Sequence, residues 1–266
     1  MNIDVLAALA EEIKSYKDRH EYGECISQMD RYERETIDPT VRSILLTAKA
    51  TCALQLNDLS TAEDAVSGID IEPLTSAMRN YVYLTRGAVA QKSGQLDLAV
   101  SLFSTIIDSK EAYEPAHRDV LYEGFARLAF LYAQKNQFAA AFDLLERATI
   151  ISPEGDLRDD IDIYRGYCLQ ALGRLQAAEQ CLRHVLDTGS RELKADAYYR
   201  LGAVLLQAGN HKAAIDNFQR ALSSLPYGRI ARSEILAALI EAKDEQSIVD
   251  EIEGSTKRTE AKLTVQ

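Results

Sequence analysis

Tryptophan is absent from this 266-residue chain, proline occurs only five times and methionine three times. So little proline leaves long stretches free to be helical, because proline inside a helix removes a hydrogen bond and clashes with the preceding turn. Positive charge is also in short supply: 30 Lys and Arg face 41 Asp and Glu, for a net charge of −11. An acidic surface repels phosphate backbones and anionic lipid, so nucleic acid is a poor expectation for a partner. No run approaches the roughly 18 uninterrupted apolar residues that a membrane span requires. The first residues, with apolar Val5 and Leu6 followed by Glu11 and Glu12 and no basic leader, do not read as a secretory signal. These features lead to the expectation of a cytoplasmic, soluble protein. Cysteine is scarce and scattered: Cys25, Cys52, Cys168 and Cys181 form no CxxC pair and no zinc-ligand spacing, and are expected as buried free thiols.

What the chain has is repetition. A polar or glycine-bearing turn followed by an amphipathic helix recurs six times, at His20-Glu21-Tyr22, Asn57-Asp58-Leu59, Gly94-Gln95-Leu96, Asn136-Gln137-Phe138, Gly173-Arg174-Leu175 and Gly209-Asn210-His211. Three residues after each triplet stands a small side chain, Cys25, Ala62, Ala99, Ala141, Ala178 or Ala214, spaced by 37, 37, 42, 37 and 36 residues. Twelve positions before each of these stands another small residue, Ala50, Gly87, Ala129, Gly166 or Gly202, with Ile13 as the exception in the first copy. Glycine in a helix interior costs about 1 kcal/mol relative to alanine, so three glycines at one phase point to close helix packing that offsets the cost. Four residues after the second small position come Met29, Val66, Phe103, Leu145, Leu182 and Phe218. These large groups are expected to act as wedges between neighbouring units.

This pattern resembles the tetratricopeptide repeat (TPR), a 34-residue helix–turn–helix motif. Leu201-Gly202, Gly209, Ala214, Phe218, Ala221 and Pro226 match it best, followed by Leu128-Ala129, Tyr132, Asn136, Ala141, Leu145, Ala148 and Pro153. The resemblance covers Leu6 to Gly228 and departs from the motif in its longer period and in Ile13 and Cys25. It implies an all-α, right-handed superhelical solenoid of antiparallel helix pairs, with units at 6–39, 43–76, 80–113, 122–155, 159–192 and 195–228. A degenerate cap at 229–253 completes a single solenoid over 1–253, and 254–266 reads as a disordered tail. The surplus around 109–119 is expected as a loop or as a helix starting near Pro115.

Signatures of catalysis are missing. His117-Arg118-Asp119 has the start of a kinase catalytic loop, but position 124 is Gly where that loop needs Asn. None of His20, His117, His184 and His211 has a metal-binding partner at helical spacing. The acidic run from Glu154 to Asp162 lacks the glycine and Glu placement of a calcium loop, and Asp156 fits a helix N-cap instead. No enzyme, cofactor or metal is therefore expected. The resemblance implies instead that the first helix of each pair lines a concave groove for a protein or peptide partner. Its exposed stripe comprises Tyr81, Arg127, Phe130, Gln134, Tyr164, Tyr167, Gln170, Tyr199, Arg200 and Gln207. Tyrosine and arginine anchor interfaces well, and glutamine can bond an extended backbone. The clamp by which some members hold chaperone C-termini is not matched, since its two leading positions hold Ala10 and Lys14, Thr47 and Thr51, and Leu84 and Ala88. The expected function is a peptide-binding adaptor; the alternatives are a self-assembling scaffold, which would be a homo-oligomer, and a regulatory module of a signalling or transcription system.

Overall fold

The structure is a computed structural model that describes residues 3–36, 38–109, 117–151, 156–224 and 230–263. Thirteen helices and no strand occur among them. First helices α1 (Ile3–Asp18), α3 (Pro39–Gln55), α5 (Ser76–Lys92), α7 (Arg118–Gln134), α9 (Asp156–Ala171) and α11 (Arg191–Gln207) alternate with second helices. The latter are α2 (Tyr22–Glu35), α4 (Leu59–Ser67), α6 (Leu96–Asp108), α8 (Phe138–Ile151), α10 (Leu175–Thr188) and α12 (His211–Ser223). A last helix, α13, runs Arg232–Leu263. The chain forms two compact units, 1–131 and 132–266, whose boundary falls within α7.

Each pair is closed by the same turn. The first residue of every triplet has positive φ, from 58° at His20, Asn57 and Asn136 to 77° at Gly209. This left-handed residue ends the first helix and lets the next amide reach back across it. Asn210 N–H donates to the Leu205 carbonyl at 2.8 Å, and the Asn210 carbonyl accepts from Ala214 N–H at 3.0 Å. The same two bonds recur at Glu21, Asp58, Gln95, Gln137 and Arg174. Asparagine tolerates this conformation better than most residues, which leaves His20 the unusual choice.

The small residues mark close packing within each pair. A Cβ added to Gly202 would lie 2.6 Å from the Phe218 ring, one on Gly87 would lie 2.5 Å from Phe103, and one on Gly166 would lie 2.8 Å from Leu182. The large side chains therefore seat on the glycine of their own pair, and Leu182 and Phe218 also share one core with residues of the helices that follow, Leu201 and Val204 among them for the first and Ile235 and Leu239 for the second. The missing Cβ creates a socket that a ring or a leucine fills with dispersion contacts. Ala62, Ala99, Ala141, Ala178 and Ala214 are fully buried, as is Cys25 at the same phase. Within 132–266 the core runs without a break from Leu169 and Leu182 through Leu201, Val204 and Phe218 to Ile235, Leu239 and Ala242.

Two expectations about chain ends change. The region after Gly228 is one helix, α13, where two short helices and a tail from Gly254 were expected. No proline interrupts 232–263, and its Glu, Ala and Lys residues favour helix enough to carry it past Gly254. The second pair is shortened, since α4 stops at Ser67 after nine residues. The loop that follows is tied down by Ser43, whose hydroxyl donates to the Asp70 carbonyl at 2.8 Å, and by Arg86, which donates to the Ile69 carbonyl at 2.9 Å and to that of Val66 at 3.3 Å. Pro115, Pro153 and Pro226 lie outside the described residues, so the form of the 109–119 insertion is known only from Arg118 onward, where α7 begins.

The two kinds of glycine separate in a stability assay. Gly202→Ala should destabilise by about 2 kcal/mol through overpacking against Phe218, whereas Gly23→Ala, with open space around it in α2, should stabilise by about 0.5 kcal/mol through helix propensity. Urea unfolding of the two variants beside the parent checks both signs.

Candidate functional site

The first helices carry the expected stripe, and the structure sorts its members. Tyr81 projects from α5 with 46% of its surface exposed. Arg127 on α7 is tied to Glu123 one turn earlier, Nε to carboxylate at 2.8 Å. Phe130 is half-buried on the same helix. These three belong to the unit 1–131. The other seven belong to 132–266: Gln134 and Gln207 are exposed at the last positions of α7 and α11, and Tyr164 and Gln170 are half-buried on α9.

The remaining three meet. The Arg200 guanidinium of α11 lies over the Tyr167 ring of α9, with Cζ 4.4 Å from the ring centroid, and 5.8 Å from the ring of its neighbour Tyr199. Tyr167 is held from its other side by Phe138, edge to face at 5.6 Å. Tyr199 tilts against Phe218 at 5.9 Å and donates its hydroxyl to the Glu234 carboxylate of α13 at 2.9 Å. Burial, and next that bond to Glu234, push the Tyr199 phenol up to about 12, so it stays a neutral donor across the physiological range. Three consecutive first-type helices, α9, α11 and α13, thus supply one polar-aromatic cluster. Of the stripe, the structure brings Tyr167, Tyr199 and Arg200 together; helical arithmetic did not point to Phe138, which lies in a turn triplet, or to Glu234, which lies beyond the last clear repeat. It also treated Arg127 and Arg200 alike because they share a repeat phase. One is paired with a carboxylate and the other stacks on aromatic rings, a difference made by Glu123 and Tyr167.

A second charged group supports this face from behind. Asp162 on α9 is buried, with only 2% of its surface exposed, and binds Arg165 at 2.6 Å. Arg165 also reaches Glu146 of α8 through Nε at 2.7 Å. Burial works against the Arg165 charge, yet the Asp162 bond and the nearby carboxylate of Glu146 leave its pKa raised. The acidic run of α9 therefore serves the fold: Asp156 is the first residue of the helix and Asp162 fastens α9 to α8 through Arg165.

Nucleophilic and metal chemistry find little footing among the described residues. No group of three or more His, Cys, Asp or Glu side chains is placed to hold a metal ion. Cys25, Cys52 and Cys168 are buried and Cys181 half-buried, all as free thiols. Burial, then a hydrogen bond with Cys25, pushes the Cys52 thiol up to about 12, and burial pushes Cys168 up to about 11. Such thiols hold almost no nucleophilic thiolate at neutral pH. That Cys25 and Cys52 touch was not legible from their 27-residue separation. No helix among the described residues is long and apolar enough to cross a membrane.

Stacked antiparallel helix pairs with a shared turn and socket define a helical-repeat protein. Residues 159–226 match the family profile of the tetratricopeptide repeat. No curated protein matches the sequence. Solved structures share the fold. PilW, described as a widely conserved type IV pilus biogenesis factor, aligns with a TM-score of 0.61 at 17% identity over 81% of this chain and 92% of its own. BtubC (BKLC) from P. vanneervenii aligns with a TM-score of 0.60 at 16% identity over 82% and 91%. The C-terminal part of a TPR repeat-containing protein from Cytophaga hutchinsonii gives 0.53 at 15% identity over 80% and 78%. At these identities the likeness is one of fold alone.

Exposure decides what the two arginine pairs contribute to stability. Asp162→Ala removes the buried one of the two carboxylates that hold a largely buried guanidinium, leaving Glu146, and should cost about 2 kcal/mol. Glu123→Ala, which breaks a one-third-exposed pair within one helix, should cost no more than about 0.5 kcal/mol. Thermal unfolding followed by circular dichroism orders the two.

Proposed function

We propose that this protein is a non-catalytic adaptor that holds a segment of another protein against the face carried by its first helices. The observation that carries the reading is the cluster of Tyr167, Tyr199 and Arg200 on α9 and α11. Its rings and guanidinium are held in place by Phe138, Phe218 and Glu234 before any ligand arrives, so little side-chain entropy remains to be lost on binding. Gln170 and Gln207 on the same two helices offer donors and acceptors for a backbone without charge. Gln134 and Tyr164 belong to the proposed surface of 132–266, and Tyr81, Arg127 and Phe130 to that of 1–131. The match to a repeat class whose members work as protein-interaction scaffolds supports the same reading.

A second reading rests on α13. Ile235, Leu239 and Ala242 face the core, while Leu236, Ile240 and Ile248 stand 38%, 59% and 57% exposed. Apolar groups on a terminal helix favour self-assembly, in which case the mass in solution rises with protein concentration.

The adaptor reading is tested by paired variants. Tyr167→Ala with Arg200→Ala should lower retention of the bound partner from native lysate by at least about tenfold, the size of one modest hot spot. Arg183→Ala with Arg220→Ala, which alters second helices only, should leave retention unchanged. Equal loss in both double variants, or in neither, would place the interaction elsewhere.

A further inference from the structure

The arginines on the first helices differ in what occupies their donors. Arg86 of α5 gives its guanidinium to two backbone carbonyls, Arg127 of α7 to Glu123, and Arg165 of α9 to Asp162 and Glu146. Arg200 of α11 is in contact only with rings: Tyr167 under it at 4.4 Å and Tyr199 beside it at 5.8 Å. No carboxylate or carbonyl is bonded to it among the described residues. A guanidinium has two chemically distinct surfaces. Its face is poorly hydrated and stacks on aromatic rings, whereas its edge carries N–H donors that match the two oxygens of a carboxylate in the same plane. At Arg200 the face is engaged, and among the described residues the edge is bonded to no acceptor. Stacking restrains the side chain without consuming a single donor, which is the preparation a bidentate contact requires.

Charge argues for the same ligand chemistry. In a chain with a net charge of −11, a half-buried cation with no bonded carboxylate among the described residues has many acids of its own that could have neutralised it. The acid that approaches, Glu234 of α13, is bonded by the Tyr199 hydroxyl at 2.9 Å. Glu241 of α13 adds its negative charge to the same neighbourhood, as its influence on the Tyr199 phenol records. Both raise the selectivity required of a ligand: a diffuse acidic surface is repelled, and a single carboxylate delivered between apolar groups is not.

We infer that the segment bound on this face places one carboxylate side chain, Glu or Asp, on the edge of Arg200, with flanking apolar or aromatic groups against Tyr167 and Tyr199. The inference rests on the adaptor reading above and names its ligand class. Arg200 supplies the directional contact, the two tyrosines supply area, and Glu234 acts as a positioning residue that fixes the Tyr199 ring through its hydroxyl.

Two pools of dodecapeptides, randomised except for a central Glu in one and a central Gln in the other, test this by retention on the immobilised full-length protein. The parent should retain the Glu pool about tenfold more than the Gln pool, a preference that shrinks with added salt. Arg200→Gln should abolish the preference while leaving the Gln pool unaffected. Arg200→Lys, which keeps the charge and stem but loses the planar fork, should keep a reduced preference and serves if the Gln variant is poorly folded. Glu234→Gln should strengthen Glu-pool retention about twofold by removing a like charge, an effect that a purely structural role would not produce. A parent that binds both pools equally overturns the carboxylate assignment and leaves the adaptor reading intact. A Glu preference that survives in Arg200→Gln overturns it as well, by assigning the contact to another cation. Retention of neither pool by the parent overturns both.

Discussion

The contact on which the rest of this structure depends is a large side chain seated in the space left by a missing Cβ. Phe103 on Gly87, Leu182 on Gly166 and Phe218 on Gly202 bring the two helices of a pair close enough that their remaining apolar residues can mesh. Interiors tolerate few voids, so the ring or leucine and its glycine have to be considered together. Enlarging the glycine forces a clash, and shrinking the ring opens a cavity. The turn residues with positive φ only decide where the chain reverses; the socket decides how tightly the two arms close. In the second pair, where Ala50 replaces the glycine and Val66 the ring, α4 is also the shortest second helix, and a pinned loop with buried Ile69 and Leu74 takes over the burial that the missing turn would supply.

Close packing of pairs has a consequence for the outward-facing stripe. Once the glycine side of a first helix is committed to its partner, and the neighbouring side to the preceding pair, only a narrow arc of each helix remains for anything else. On α9 and α11 that arc holds Tyr167, Tyr199 and Arg200, and the short distance between adjacent first helices is what allows Arg200 to reach across to Tyr167. The cluster is thus a product of the same packing that stabilises the core. The helix α13 extends the arrangement by one element: it closes the apolar core with Ile235, Leu239 and Ala242 and reaches the cluster through Glu234.

Much of the architecture could be read directly. The six turn triplets, the buried alanines and the phase of the first-helix stripe all follow from local rules: positive φ favours Gly and Asn, small residues mark close approach, and a 3.6-residue period fixes which side chains share a face. Reading failed where the signal was not local. That each large residue also seats on the glycine of its own pair was not read, because sequence spacing does not say which side chain fills a socket. The long α13 was divided because its apolar residues are sparse after Ile252 and a Gly stands at 254.

By itself the sequence determined that the chain folds as a series of antiparallel helix pairs and where each pair turns, since both are set by backbone conformation and helical period over a few tens of residues. Only the tertiary structure decided which outward residues are available. Arg127 and Arg200 are the same residue type at the same repeat position, but a carboxylate one turn away bonds the first and a ring from the preceding first helix carries the second. That distinction depends on distances between side chains brought together by packing, and no pattern within a single repeat contains it.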